Sequence, residues 1–233
     1  MGKSALNIDN SHKGKSDRAA AGESSQTTTG MRSQDARSEE MRARLMAASI
    51  EVLRERGFAG FRTEAVAQEA GVSRGALVHH YPHKRDLILA VHKHLYQLAV
   101  DNSVESAAAV TDQGAIINEM LKDAQSFFLG NHFFSVLDIV LSANTDPELK
   151  TEILQASRNA RLPIETAWVN RMSEFMPRPL AETVVYMTYN IVRGYAMRTL
   201  WEDDPARYAE MIVHWKSMVR DLLRNNGVTW PAE

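Results

Sequence analysis

The sequence predicts an all-α chain of about nine helices, and three observations predict it. Apolar residues recur at helical spacing almost from end to end, while strand-like alternation is scarce. Residues suited to helix starts (Ser, Thr, Asp-Pro) alternate with Gly and Pro positions suited to helix stops. The 233 residues are 44% apolar and 24% charged, enough for the core of one large or two small domains. No internal repeat of fixed period is visible.

Taken in order, residues 1–36 are rich in Ser, Thr, Gly, Asn and Gln and poor in large apolar side chains. Such a segment cannot bury enough surface to offset its ordering entropy, so disorder is expected there. From Ser38 to Arg56, Met41, Leu45, Ala48, Val52 and Leu53 form one helical stripe, with Gly57 as its stop. A short helix is expected over Thr63–Ala70 with Thr63 as its N-cap, and a break at Gly71-Val72. Ser73 caps a third helix running to about His80, which Pro82 ends. Helices then follow over about Lys84–Ala109, Gln113–Leu129 and Phe133–Ala143. Asp146-Pro147 opens another to about Phe175, with a kink expected at Pro163. Leu180–Glu202 is the next, and Asp204-Pro205 opens the last, to about Asn225.

The absence of cysteine excludes a disulfide scaffold, a Cys-ligated zinc site and a Cys nucleophile. Met1–Ala20 holds no continuous apolar run, so neither a secretory signal nor a membrane span is expected, and a soluble, reducing compartment, the cytoplasm, is. The net charge of −2 conceals an uneven distribution. Residues 37–95 hold ten Lys/Arg against seven Asp/Glu, whereas residues 96–233 hold twelve against eighteen. An anionic partner is therefore expected for the first region only.

The segment TEAVAQEAGVSRGALVHHY, Thr63–Tyr81, describes two short helices joined by a turn. Gly71 suits a positive φ, Ala67 leaves room for the helices to cross, and Val66, Val72 and Leu77 supply apolar contacts beneath. Arg74, Ala76, His79 and His80 are left outward. A helix presented this way fits the major groove of DNA.

This region resembles the TetR (tetracycline-repressor-like) family of transcriptional regulators. The resemblance rests on AVAQEAGVSRGALVHHYPHKRDLI, Ala65–Ile88, preceded by RARLMAASIEVLRERGF, and covers Glu39 to about Ala99. It implies base contacts from Arg74, Ala76, His79 and His80, and phosphate contacts from Thr63, Ser73 and Lys84. Val78 stands where the family usually has Tyr, so one phosphate-bonding hydroxyl is missing. Glu64 sits where an acid would face phosphates, and it is expected to point away or to weaken nonspecific binding.

The histidines do not support an enzyme. His79-His80 lacks an acid at the HHxxxD spacing, Pro82 separates His80 from His83, and His92 and His94 point to different helix faces. No cofactor or metal is expected. A helical metal-dependent enzyme is the remote alternative.

In the C-terminal region the resemblance implies an effector pocket. Phe127, Phe128, His132, Trp168, Met172, Met187 and Asn190 are its candidate residues, with Arg171 and Asp138 as further polar groups; Phe133, Phe134, Tyr195 and Met197 also supply amphipathic surface. For any single one of these, a place in a plain helical core is the competing reading. The last two helices carry more apolar surface than one contact needs. Val184, Met187, Ile191, Tyr208, Ile212, Trp215 and Val219 are therefore expected in a four-helix homodimer interface, with tight internal packing as the alternative.

The expected organisation is a disordered tail (1–36), a helix-turn-helix DNA-binding domain (37–98) and a helical effector-binding and dimerisation domain (99–228). The expected function is a ligand-responsive homodimeric repressor. Its partners would be a pseudo-palindromic double-stranded DNA operator, a small-molecule effector and a second copy of itself, with no membrane. An activator or effector-independent regulator of the same fold is the alternative.

Overall fold

The computed structural model describes residues 23–230, with side chains from residue 34 onward. The expectation of disorder over 1–36 lies outside the described residues for 1–22, whereas residues 23–36 are helical, against that expectation. Helix α1 spans Glu23–Gly60, beginning upstream of the apolar stripe; backbone helix bonds are local and do not stop at the last packed side chain. The chain divides into two compact units between Arg44 and Leu45. In the first, Arg42 pairs with Glu39 at 2.8 Å.

The second unit holds the rest of the fold. Gly57, at φ 63°, interrupts α1 where a stop was expected. Then come α2 (Thr63–Glu69), α3 (Arg74–His80), α4 (Lys84–Ala109), α5 (Ile116–Phe128) and α6 (Phe133–Ser142). A 3₁₀ turn, Ala143–Thr145, leads to α7 (Pro147–Met172), α8 (Arg178–Arg198) and α9 (Pro205–Asn225). The described residues contain no strand. Asp146 and Asp204 cap α7 and α9 by accepting backbone N–H groups of Glu148, Leu149 and Arg207.

Leu45, Val52 and Leu53 of α1, Phe61, Val66 of α2, Leu77 of α3, and Leu87 and Val91 of α4 are all buried. Truncating a fully buried side chain such as Leu77 to Ala typically costs about 2–5 kcal/mol. α4 runs unbroken across position 98 and packs along α7; α5 lies against α4 and α8. A continuous core of buried apolar residues extends from Ala107 to Leu223.

Candidate functional site

The turn between α2 and α3 is built by backbone geometry. Gly71 (φ 63°) donates its N–H to Gln68 O, and Val72 donates to Ala67 O at 2.9 Å, the paired bonds of a Schellman stop. Ser73 is extended, and its hydroxyl oxygen accepts the Ala76 N–H at 3.2 Å, which starts α3. Leu77 anchors the inner face of α3, leaving Arg74, Val78 and His79 exposed and Ala76 and His80 half-buried. His79 and His80 meet edge-on at 5.3 Å.

One detail differs from expectation and two add to it. Thr63 is the first residue of α2 rather than its cap: Arg62 takes the extended cap conformation, and the Thr63 hydroxyl donates to Glu64 at 3.3 Å. Glu64 turns towards Arg74, its Oε1 lying 3.4 Å from the guanidinium. Its own backbone N–H, then Arg74, hold the Glu64 carboxyl below the usual range. Lys84 is half-buried, its ammonium 5.0 Å from the Phe58 ring centre and 5.8 Å from that of Phe61. Burial, followed by the nearby Arg62 charge, lowers its pKa.

A cavity of about 280 Å³ lies among α4–α8. Phe127 and Phe128 line it, with Phe133, Val136, Leu137 and Val140 of α6 and Met197 of α8. The rings pack edge to face, Phe127 against Phe128 at 5.1 Å and Phe128 against Phe133 at 5.2 Å. Tyr96 and Ser103 of α4, Ser157, Arg161 and Glu165 of α7, and Tyr189 and Arg193 of α8 add polar groups.

Asp123 of α5 is the buried polar hub of this wall. It accepts from Asn102 Nδ2 (2.7 Å), Ser103 Oγ (2.7 Å), Trp168 Nε1 (2.7 Å) and Tyr189 Oη (3.0 Å), joining α4, α5, α7 and α8. Burial, with the adjacent Asp123 carboxylate, pushes the Tyr189 hydroxyl well above its ordinary pKa. Behind two of these lining residues, buried His92 meets Ser157 Oγ at 2.8 Å and Tyr96 edge-on at 4.9 Å.

Other pocket candidates lie elsewhere. Trp168 and Met172 are fully buried in the core, the Trp168 N–H being engaged by Asp123. His132 lines a smaller neighbouring cavity of about 130 Å³ that shares Asp123 and Phe127. Met187 is exposed beside a shallow recess on α7 and α8, and Asn190 bonds Tyr186 O and Arg193. Phe134 is part-exposed, and Tyr195 stacks on Tyr208 at 4.0 Å. Arg171 faces away from the cavity: it donates to Ala107 O and Ala108 O, satisfying carbonyls that the end of α4 leaves open.

Asp138 likewise turns out of the cavity. Its Oδ2 accepts the Phe58 N–H at 2.6 Å, and its Oδ1 accepts from Ser142. A side chain at residue 57 would place its Cβ 3.1 Å from that oxygen, so glycine there serves both the close approach and the positive φ. α6 is thus tied directly to the turn before the helix-turn-helix. Arg85 makes a second tie, from the start of α4 to Glu148 (2.6 Å) and Glu152 (2.8 Å) of α7.

The interface expectation needs correction. Val184, Tyr208, Ile212, Trp215 and Val219 are buried in the subunit's own core, where α8 and α9 meet the other helices. Of the seven, only Met187 and the half-buried Ile191 retain substantial exposure. Tyr186, Met211, Val213 and Met218 are the other large apolar residues exposed on these two helices.

Sequence reasoning also missed Asp123, Tyr96, Ser157, Arg161, Tyr189 and Arg193. Only Asp123 carried a signal: it stands beside Ala124 in the apolar register Ile116, Met120, Ala124, Phe128, where a carboxylate needs buried partners.

Residues 45–91 match the model of bacterial regulatory proteins of the tetR family. Over 178 residues the chain is 38% identical to the HTH-type transcriptional regulator CymR of Pseudomonas putida, covering 76% of this chain and 88% of that protein. In fold it is similar to a TetR transcription regulator from Haloarcula marismortui (TM-score 0.61, 20% identity, 78% of this chain and 98% of that one). It is also similar to a transcriptional regulator from Rhodococcus sp. Rha1 (TM-score 0.57, 22% identity, 78% and 96%). These relatives are regulators, which sets the enzyme alternative aside. No single helix among the described residues is long and apolar enough to cross a membrane. With its DNA-binding segment matched by the family model and a regulator of this kind matched over most of its length, the chain belongs to the TetR family of transcriptional regulators.

Proposed function

We propose that this regulator is a ligand-responsive homodimeric repressor. In this reading, residues 37–98 bind DNA and residues 99–228 bind effector and partner. Each subunit inserts α3 into the major groove at one half-site of a pseudo-palindromic operator, the half-site centres about 34–36 Å or a multiple apart. Arg74, Ala76, His79 and His80 meet base edges, Arg74 as a bidentate reader of guanine. Thr63, Ser73 and Lys84 meet phosphates. The apolar side chains left open on α8 and α9, Met187 and Ile191 with Met211 and Met218, form the subunit contact.

The observation that carries ligand control is the tie between cavity and DNA-binding segment. Val136, Leu137 and Val140 line the cavity, while Asp138 on the same helix holds the Phe58 N–H. A ligand that shifts α6 therefore acts on the turn that leads into α2, which biases a two-state equilibrium of DNA affinity. Footprinting of the purified protein on genomic DNA, paired with reporter assays on the protected promoters, tests the reading. A symmetric footprint and raised transcription on deletion are expected. Lowered transcription on deletion would make the protein an activator, and an asymmetric single-site footprint would remove the dimer.

A further inference from the structure

One face of α8 is left open by its own subunit. Thr183, Met187, Asn190, Gly194 and Met197 follow one another at steps of four and three, the spacing of a coiled-coil seam. Trp201 continues the stripe through the turn after α8, where Glu202 still donates its N–H to Arg198 O at 3.1 Å. Thr183, Met187, Gly194 and Trp201 are exposed, and Asn190 and Met197 half-buried. Trp201 is 79% exposed, more than any other large apolar side chain among the described residues, and Leu200 beside it is 56% exposed. Gly194 weakens the interior of a helix, yet a Cβ there would meet nothing within 4 Å, so its own subunit gives no reason for the missing side chain. Close approach of a second backbone does give one.

The two ends of the stripe are complementary. At its start, Thr183 and Met187 line the recess between α7 and α8, about 420 Å³ in volume, with Val169 and Glu165 of α7 on the other wall. At its end stands the exposed indole. The stripe is also symmetric about residue 192: laid antiparallel on a copy of itself, Thr183 meets the partner's Trp201, Met187 the partner's Met197, and Asn190 the partner's Gly194. One two-fold operation therefore fills both recesses with both indoles. A parallel pairing would set Trp201 against itself and leave the recesses empty. The charges beside the seam do not oppose the antiparallel pairing, because Glu182 is held by Arg178 and Glu202 by Arg198 within each subunit. Two indoles this exposed bring roughly 300 Å² to the contact, about a fifth of a standard interface.

We propose that Trp201 of each subunit docks into the α7–α8 recess of its partner, the two α8 helices crossing antiparallel about residue 192. This rests on the homodimer reading above and gives it an anchor. It also joins the subunits at their cavities. Glu165 lines both the recess and the cavity among α4–α8, and Met197 lines that cavity from the seam, so each cavity is bordered by side chains of the other subunit.

The chain lacks cysteine, so introduced thiols report the pairing directly. The full-length Thr183→Cys/Leu200→Cys double variant, which keeps Trp201, is treated with bis-maleimidoethane beside each single variant. Within one subunit the two positions stand roughly 25 Å apart along the helix, as does each from its own copy in the antiparallel pair, so covalent dimer is expected from the double variant alone. Trp201→Ala should raise the dimer dissociation constant in sedimentation equilibrium about thirtyfold or more, with helix content unchanged by circular dichroism because the side chain is outside the core. A wild-type dimer whose double variant does not cross-link, a single variant that does, or an unchanged dissociation constant for Trp201→Ala would each overturn the docking and leave the homodimer. A wild-type chain that sediments as a monomer would remove both.

Discussion

Replacing Asp123 by Asn probes the cavity wall with almost no change of shape. The native carboxylate accepts from Asn102, Ser103, Trp168 and Tyr189 at 2.7–3.0 Å. An amide oxygen placed at Oδ2 keeps the last three as neutral bonds, and the new NH₂ group then meets the Asn102 NH₂, donor against donor. Bonds to a charged acceptor are worth about 1.5–3 kcal/mol each and neutral ones about 1, so losing one of four and weakening the other three removes roughly 3–9 kcal/mol. Relief of the carboxylate's desolvation returns part of this, about 1–5 kcal/mol after structural relaxation. The net expectation is about 2–4 kcal/mol of destabilisation. For a chain of this size that lowers the melting temperature by roughly 5–15 °C. Differential scanning calorimetry of both proteins at one concentration measures it. A melting temperature within about 2 °C of wild type would refute the hub, since the four donors would then have found other partners.

Two further outcomes follow from other charged groups. Glu64→Gln frees Arg74 and removes an acid from the DNA-facing side; affinity for random DNA should rise and the salt dependence steepen by about one ion per subunit, with operator preference reduced. An unchanged salt slope in fluorescence anisotropy would show that Glu64 leaves Arg74 unaffected. Burial lowers the His92 pKa from 6.5 to about 4, so the folded protein keeps this imidazole neutral while the unfolded chain takes a proton near pH 6.5. Stability should therefore fall as pH drops from about 6.5 towards 4, by up to about 3 kcal/mol from this group. A His92→Gln variant should show a shallower decline across that window, and an equally steep one would place the titrating group elsewhere.

Element boundaries were most legible where backbone chemistry fixes them. Ser73, Asp146-Pro147, Asp204-Pro205 and Gly71 each mark a helix end by what their own atoms can do, and those ends fall where expected. Thr63 was misread because a hydroxyl one residue inside the helix looks identical in sequence to one at the cap. Pro163 lies within α7, which continues through it. The apolar faces of α8 and α9 were legible, but their destination was not. Periodicity reports that Val184, Ile212, Trp215 and Val219 must be covered, yet it does not say whether the cover is the subunit's own core or a second copy. For the cavity, aromatic content pointed to Phe127 and Phe128. Asp123, Arg161 and Arg193 become a site only when four helices converge, because their pairing lies in contacts far apart in the chain.

The pinning of α4 at one end has a mechanical consequence. Arg171 holds the carbonyls of Ala107 and Ala108, while Tyr96, Ala99 and Ser103, nearer the middle of the same helix, face the cavity. At 1.5 Å per residue, Ser103 stands about 9 Å from the pinned end and Lys84 about 38 Å. Were α4 to pivot there as a rigid rod, with the Arg85 ties to Glu148 and Glu152 giving way at its other end, that gearing would multiply displacement roughly fourfold. A shift of about 0.8 Å at Ser103, less than the width of a methyl group, becomes about 3.4 Å at the start of α4, comparable to the rise of one base pair. In the proposed repressor the unbroken helix would set the tolerance of the molecule: structural noise at the cavity wall would have to stay well below an ångström for two recognition helices to keep register with their grooves, and the four-donor grip on Asp123 is the kind of stiffness such a lever would demand.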